Sequence, residues 1–314
     1  MANLSLTMQC SWDDILEIFN VYSTIALPTS KEASPQYSIL ASVILLICLS
    51  GLVGNGTVIW IIGFHIKRNS FTTCIVNLAV ADFGVLIALV LREMSLILIA
   101  DKQDIALHLA HISFPVLLFM HTAGQLLLTA ISIDKCVAVI FPIWHRCHRP
   151  PKLSTLVCAF LWFLSFMFCG IHVLLVSAGQ GPLFLVIVNV LICYPLMAIS
   201  TLTVFVKIRF KQHQRKRTKR SKVILLTLFS FLTFSFPLNL CIVIGYYYFL
   251  EALTITFEII ATLCASLNSS VNPVLYFLAG RETKVHCRVS RLKVALQKIF
   301  KDEEDCRDDE EPPV

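Results

Sequence analysis

Long apolar runs separated by short polar joints dominate the chain. Each run reaches or exceeds the about 20 residues that a helix rising about 1.5 Å per residue needs to cross the hydrocarbon layer. Because lipid offers no partner to backbone N–H and C=O groups, and the runs lack the two-residue alternation of a membrane barrel, the pattern predicts helices. We number the runs as spans one to seven: Tyr37 to Phe64, Phe71 to Ile99, Ala106 to Ile140, Leu153 to Val176, Leu183 to Val206, Val223 to Phe249 and Thr254 to Phe277.

The composition excludes an ordinary water-soluble chain. Of the 314 residues, 57% are hydrophobic and only 15% are charged, and the mean hydropathy is +0.77. A soluble domain has roughly 45 to 50% apolar and about 25% charged residues. The sequence therefore predicts an all-α membrane protein, in which residues 37–279 form a seven-transmembrane helix bundle and residues 1–36 precede it.

Basic residues fall almost entirely on one side of this bundle. The joints after spans one, three and five, the segment after span seven and Lys135 near the end of span three together account for 23 of the 26 lysine and arginine residues. Since positively charged loops stay in the cytoplasm, we expect a multi-pass plasma-membrane protein with an extracellular amino terminus and a cytoplasmic carboxyl terminus. Residues 1–34 lack an apolar core with a basic leader, so span one is expected to act as a signal anchor. The sequon at Asn3 is then usable for N-glycosylation.

The segment after span seven divides into two parts. Between residues 280 and 301, apolar side chains recur at alternating spacings of four and three, which predicts a short amphipathic helix on the lipid of the inner leaflet. Cys287 in this helix is either a palmitoylation site or an unmodified thiol. Residues 302–314 predict a disordered acidic tail. Its carboxylates either replace phosphates in binding a protein partner or fold back on the basic joint after span five.

Neither cysteines nor catalytic motifs indicate another class of protein. Of the twelve cysteines only Cys10 is clearly extracellular, so we expect no disulfide within the chain, with Cys10 free or paired to another chain. No HExxH, GxSxG or P-loop pattern appears, so we predict no enzyme and no cofactor, and these motifs indicate no metal. The basic joint after span five indicates contact with anionic lipid and a protein partner rather than with nucleic acid.

Polar residues recur inside the membrane runs, where they are costly and usually face the interior of the bundle. For Asn55 and Asn77 we favour contacts between helices, and for Asp82, Asn272 and Tyr276 we favour a role in signalling.

These residues occur in an order that resembles the rhodopsin-like G-protein-coupled receptors. The shared features are Asn55, the string Leu78 to Asp82, Trp162, Pro195, Pro237 and the string Asn272 to Tyr276. Two further strings, Leu128 to Cys136 and Phe141 to Pro150, are similar to the Mas-related receptors. The resemblance implies a receptor that converts binding of an extracellular peptide or small molecule into nucleotide exchange on a heterotrimeric G protein of the Gq or Gi class.

The same resemblance implies roles for individual residues. It assigns an activation switch to Asp82, Asn268, Asn272, Pro273, Tyr276, Pro237 and Pro195. It assigns contact with the G protein to Asp134, Lys135, Cys136 and Pro142.

Departures from the family pattern qualify the inner half. Lys135 replaces the family's arginine and lacks the flat, multi-donor guanidinium group, so we expect coupling that is retained but altered. The aromatic switch residue of many relatives is Ser235 here. Pro237 removes a backbone hydrogen bond and predicts a kink that gives span six a pivot. Gly124 replaces a serine of many relatives near Asp82. The resemblance implies a candidate sodium ion at Asp82, with Asn268 and Asn272 as its other ligands.

The outer half differs more. The joint between spans four and five is only Ser177 to Pro182 and has no cysteine, and His172 replaces the acidic residue of cation-binding relatives. Ionisable or polar side chains in the outer half are the candidate ligand contacts: Arg92, Glu93, His121, His172, Asn239 and Glu258. As alternatives, Arg92 and Glu93 form a structural ion pair, and each histidine is a satisfied interior residue.

Two functions remain open at this point. The first is the G-protein-coupled receptor, which the Asp82 and Asn272 motifs favour. The alternative is a non-signalling binding or escort protein with the same fold, which Lys135 and the short joint between spans four and five favour.

Overall fold

A computed structural model describes residues 35–65, 70–98, 102–147, 150, 152–178, 183–210, 233–234, 239–240 and 251–280. All regular elements within these ranges are helices. The amphipathic helix predicted for residues 280–301, the acidic tail, and the residues Asn3, Cys10, Ser235, Pro237 and Cys287 lie wholly or almost wholly outside the described residues.

Six of the seven predicted spans form helices whose ends are described, and these ends agree with the sequence pattern to within a few residues. Five of them begin and end as follows: span one at Pro35–Phe64, span two at Ser70–Leu98, span three at Gln103–Ile140, span four at Leu153–Ser177 and span seven at Glu251–Gly280. A short helix, Pro142–Cys147, follows span three. Of span six, the structure describes residues 233–234 and 239–240, both helical.

Span five is a helix in three parts. An α-helix at Leu183–Val188 continues into a π-helical turn at Asn189–Cys193 and then into an α-helix at Tyr194–Phe210. The turn directly precedes Pro195, which has no N–H and whose ring crowds the carbonyl group four residues earlier. Tyr194 N–H instead donates to the Asn189 carbonyl, five residues back, which is the hydrogen bond of a wider turn.

The described helices are apolar outside and partly polar inside. Five of them are long and apolar enough to cross a membrane, those of spans one to five, and the helix of span seven contains a shorter apolar stretch, Ile259–Leu275. Leu46 is 67% exposed on span one, whereas Asn55, Asp82 and Gln125 are buried. Lipid-facing positions are apolar because the solvent there is hydrocarbon.

Span three is the centre of the bundle, since it packs against spans two, four and five. The largest buried cluster joins these four helices through Leu78, Ala81, Ala123, Leu127, Leu128, Ile131, Cys158 and Met197. A second cluster joins spans one, two and seven through Ile44, Cys48, Val85, Leu86, Leu89 and Ala265. The polar residues of the candidate site lie between these apolar layers.

Glycine permits the closest approach between spans one and seven. A Cβ atom at Gly51 would collide with the Ser270 hydroxyl and would lie 2.8 Å from Leu86 Cδ1, and one at Gly54 would lie 3.0 Å from Pro273 Cβ. Small residues at helix contacts allow backbones to approach closely in membranes, where van der Waals packing drives association. Span one can therefore reach the backbone of span seven only because these two positions lack side chains.

We predict that Gly51→Ala destabilises the protein, whereas Gly63→Ala on the same helix does not. The added methyl group at Gly51 must displace Ser270 and Leu86, which costs about 1–3 kcal/mol for an overpacked core. Gly63 has no atom within 4 Å of the new Cβ, so it gains only helix propensity. The thermal unfolding midpoint of detergent-solubilised protein measures the difference. Equal midpoints for both variants would contradict the packing described for span one.

Candidate functional site

A buried hydrogen bond joins spans two and seven at the middle of the bundle. Asn272 Nδ2 donates to Asp82 Oδ2 at 2.8 Å, and both residues are buried. A carboxylate in hydrocarbon is costly unless polar groups satisfy it, so the Asn272 amide stabilises Asp82 where it lies. The structure thus brings together two residues that the sequence placed 190 positions apart.

Span one is tied to the same region through backbone carbonyl groups. Asn55 Nδ2 donates to the Ser269 carbonyl at 2.9 Å and to the Gly51 carbonyl at 3.0 Å. The Ser270 hydroxyl donates to the Ile47 carbonyl at 3.2 Å in the opposite direction. The contact between helices that the sequence predicted for Asn55 is present, and its acceptor is the main chain of span seven.

A small cavity lies beside Asp82. It is lined by Asp82, Val85, Met120, His121, Gly124, Leu128, Asn268 and Ser269. The oxygen-bearing side chains in this lining are of the type that a hard cation prefers, whereas Gly124 contributes no side-chain oxygen. His121 Nε2 lies 2.6 Å from the side-chain amide nitrogen of Gln125, one turn along span three. The described residues include no group of three or more His, Cys, Asp or Glu side chains that could hold a metal ion.

The two charged residues near the carboxyl end of span two form an ion pair, and one of them also contacts span seven. Arg92 Nη1 donates to the Thr262 hydroxyl of span seven at 2.7 Å and lies 3.5 Å from Glu93 Oε1. The Arg92 side chain is 19% exposed and that of Glu93 is 3% exposed. The ion pair that the sequence offered as one alternative is therefore present, with Thr262 as a further partner that no sequence pattern indicated.

The other candidate ligand contacts differ in what surrounds them. His172 is buried in span four, and its Nδ1 has no hydrogen-bond partner among the described residues. Asn239 is buried between spans five and six, where Asn189 donates to its side-chain oxygen at 3.1 Å. Glu258 lies in the helix of span seven, and its side chain is outside the described part of the structure.

Span four is fastened to span two by an indole group. Trp162 Nε1 donates to Asn77 Oδ1 at 2.9 Å, and Asn77 Nδ2 donates to the Thr73 carbonyl at 2.8 Å. The predicted structural role of Asn77 is thus accounted for by a named partner. Trp162 also packs against Phe119 of span three, with 5.5 Å between ring centroids.

At the carboxyl end of span three, a hydrogen bond between Asp134 and His145 holds the short helix. Asp134 Oδ1 lies 3.3 Å from His145 Nε2, and Lys207 of span five donates to the Val139 carbonyl at 3.4 Å. Lys135 and Cys136 are half-buried beside them. His145 was not among the residues selected from the sequence, although its place in the string Phe141 to Pro150 was noted.

The short helix exposes a group of large apolar side chains. Pro142 begins the helix, a position that suits proline because the first N–H has no intrahelical partner. Ile143 is 76% exposed, and Phe141 and Trp144 are also exposed. We call Phe141, Ile143 and Trp144 the inner apolar patch. Basic and acidic residues adjoin the patch, and an apolar patch with a polar rim is typical of a protein or membrane contact.

The prolines of the predicted switch occupy different environments. Pro273 is buried against Gly54, whereas Pro195 is exposed directly after the π-helical turn. Tyr276 lies in the helix of span seven, but its side chain, like Pro237, is outside the described residues.

We predict that Asn272→Ala destabilises the protein and that Asp82→Asn combined with Asn272→Asp restores part of the loss. The alanine variant removes a donor from a buried carboxylate, which costs about 1.5–3 kcal/mol for a hydrogen bond to a charged group. The exchanged pair keeps one carboxylate and one amide at the same contact. Thermal unfolding midpoints of the purified variants provide the measurement. A double variant no more stable than Asn272→Ala would contradict a direct role for this contact.

Comparison with known proteins identifies the group to which the chain belongs. Residues 54–276 match the 7 transmembrane receptor (rhodopsin family) domain. The chain is 34% identical to the Proto-oncogene Mas of Mus musculus over 292 residues, covering 88% of this chain and 89% of the relative. It is 34% identical to the Homo sapiens Mas-related G-protein coupled receptor member D over 316 residues, covering 94% and 95%. Such receptors are not enzymes, and the predicted seven-helix membrane fold is confirmed. The chain belongs to the rhodopsin family of seven-transmembrane receptors and, within it, to the group of Mas and Mas-related G-protein-coupled receptors.

Proposed function

We propose that this chain is a plasma-membrane receptor that converts binding of an extracellular peptide or small molecule into nucleotide exchange on a G protein of the Gq or Gi class. The observation that carries the proposal is the inner end of span three, where Asp134 holds His145 and the short helix exposes the inner apolar patch. This surface has the features of a protein-binding site, and the family is a family of G-protein-coupled receptors.

Helix geometry supports Arg92 as a ligand contact. Residues seven apart lie on almost the same face of a helix, because seven residues make about two turns. Arg92 therefore shares a face with Val85, which lines the central cavity, about 10 Å further toward the outside. Glu93 shares a face with Leu86, which packs in the same cluster as Val85 but is not among the residues that line the cavity. In this proposal Arg92 meets the ligand, and Glu93 holds the guanidinium group in place from the wall.

The remaining candidate ligand contacts lie on four other spans. His121 lines the cavity directly, and His172 offers a buried ring nitrogen on span four. We propose His121, His172, Asn239 and Glu258 as further ligand contacts. Their different elements, spans three, four, six and seven, would give the ligand a hold on several helices at once.

The buried residues at mid-membrane form the proposed activation switch. Asp82, Asn268 and Asn272 are buried between spans two and seven, so a change at either helix alters the polar contacts of the other. Pro273, Tyr276, Pro195 and Pro237 complete the switch. Asp82, Asn268 and Ser269 supply the oxygen atoms that a sodium ion would require, and bound sodium would hold spans two and seven together.

The proposed orientation assigns each terminal segment a role. Residues 1–36 lie outside with Asn3 glycosylated, and residues 280–301 lie on the inner leaflet with Cys287 as a palmitoylation site. The acidic residues 302–314 serve arrestin binding. The charge distribution of the sequence supports the orientation on which these assignments depend, since 23 of the 26 basic residues fall on the proposed cytoplasmic side.

We predict that Ile143→Ala reduces nucleotide exchange at least several-fold while leaving surface expression unchanged. The side chain is exposed at the inner apolar patch, so its loss removes contact area with a partner but no internal packing. Leu46→Ala is the matched control, because Leu46 is equally apolar and 67% exposed on span one. Exchange is measured on purified G proteins added to membranes of matched receptor content. Equal exchange by the two variants would exclude the patch as the coupling surface.

We predict that Lys135→Arg changes the rate of nucleotide exchange or the preference among G-protein classes. Arginine has a flat guanidinium group with five donors, whereas lysine has a compact ammonium group, so the two side chains cannot make the same contacts. The same exchange measurement, carried out with Gq and Gi proteins side by side, tests the prediction. Identical rates for the unmodified receptor and Lys135→Arg on both G proteins would show that this position does not set coupling.

The alternative is the non-signalling escort function. It would gain support if the unmodified receptor, fully expressed at the surface, catalysed no exchange on either class with or without a ligand panel.

A further inference from the structure

A chain of buried amide and hydroxyl groups connects spans five and six. Asn189 Nδ2 donates to Asn239 Oδ1 at 3.1 Å, and Asn239 Nδ2 donates to the Tyr194 hydroxyl at 2.6 Å. Both asparagines are only 3% exposed. Span five thus engages the oxygen and the nitrogen of a single carboxamide on span six. We call the group Asn189, Asn239 and Tyr194 the amide bridge.

The π-helical turn makes the amide bridge geometrically possible. In a regular α-helix, residues five apart point about 140° away from each other, since each residue turns by about 100°. The wider turn at Asn189–Cys193 reduces this angle, so Asn189 and Tyr194 can reach the same amide. The turn follows from Pro195, which cannot donate to the regular ladder. One proline and one extra residue in the turn therefore position both partners of Asn239.

The position of the amide bridge along span six links it to movement. Asn239 follows Pro237 by two residues, and Pro237 is the predicted pivot of this span. Ser235, at the position where many relatives have an aromatic switch residue, is too small to fill that role. A hydrogen bond at 3.1 Å is lost when its atoms separate by well under 1 Å more. A turn or shift of span six at this level would therefore stretch or break the contacts of Asn239 with Asn189 and Tyr194.

We infer that the amide bridge is the latch that holds spans five and six together in the resting receptor, and that it opens when the receptor activates. The inference rests on the proposed coupling function and assigns a conformational role to Asn189, Asn239 and Tyr194. Buried amides are satisfied in the closed arrangement and lose partners in the open one, so the closed arrangement is favoured until a ligand compensates. Asn239 acts in this role through span five, in addition to any ligand that it meets.

The test compares ligand-independent nucleotide exchange among variants at matched surface expression. Asn239→Leu keeps the side-chain size but removes the hydrogen bonds to Asn189 and Tyr194. We expect ligand-independent exchange to rise by at least about three- to tenfold, which is the effect of losing one buried hydrogen bond from the closed state. Tyr194→Phe removes one contact and should produce a smaller rise. Because Asn189 and Asn239 share a bond, their effects should not be independent. The rise in exchange of the double variant Asn189→Leu with Asn239→Leu should be smaller than the product of the rises of the two single variants.

A matched control separates a latch from general loosening of the bundle. Trp162→Phe removes the half-buried hydrogen bond to Asn77 between spans two and four and leaves the residues of the amide bridge unchanged. We expect no rise in ligand-independent exchange for this variant. An equal rise in Trp162→Phe would overturn the inference. So would an unchanged or lower rate in Asn239→Leu and Tyr194→Phe if the hydrogen–deuterium exchange of span six, described next, is also unchanged. If Asn239→Leu fails to reach the surface, Tyr194→Phe alone decides, because it removes only a hydroxyl group.

A second measurement distinguishes failure of the latch from failure of the proposed coupling. Hydrogen–deuterium exchange of residues 223–250, followed by mass spectrometry of the purified receptor, reports opening of span six without any G protein. Faster exchange of this segment in Asn239→Leu, with no change in nucleotide exchange, would support the latch and contradict the coupling function. No change in either measurement for any variant of the amide bridge would contradict the latch.

Discussion

The structure depends on one constraint, which is that a polar group inside the bilayer must find its partner within the protein. Backbone groups meet this constraint by forming helices. Side chains meet it by reaching a neighbouring helix or a carbonyl one turn away. Asp82 is satisfied by Asn272, Asn77 by Trp162, and Asn55 by the main chain of span seven. Spans that share only apolar surface with lipid on all sides would have no such preference for one neighbour over another.

The sequence was sufficient to predict where the described spans lie along the chain, because a membrane-crossing helix has a length and a polarity that few other structures share. It also identified Asp82 and Asn272 as members of one site, since a carboxylate and an amide at mid-membrane require each other. It did not identify Thr262, His145 or Asn189. A threonine in an apolar helix usually bonds to its own backbone, and a loop histidine has many exposed alternatives, so their partners depend on how the helices pack.

Asn189 is an instructive omission. It is a lone amide in an apolar run and therefore met the same criterion as Asn77, yet its partner on span six depends on a π-helical turn that no hydrophobic pattern reveals. Pro195 was the available signal, because a proline inside a helix must disturb the turn that precedes it. The spacing of apolar residues tolerates one additional residue without changing its overall appearance.

The π-helical turn also divides span five into two halves. The length of the turn sets the rotation of one half relative to the other about the helix axis. One residue more or fewer in this turn would rotate Leu183–Val188 by about 100° relative to Tyr194–Phe210, while both halves remained helical and apolar. Such a length change would turn different side chains of Leu183–Val188 toward the neighbouring helices and leave Tyr194–Phe210 in register with span three. Under the proposed function, a receptor built in this way can acquire a new ligand preference through a single-codon insertion or deletion, without any substitution in the residues proposed to couple to the G protein.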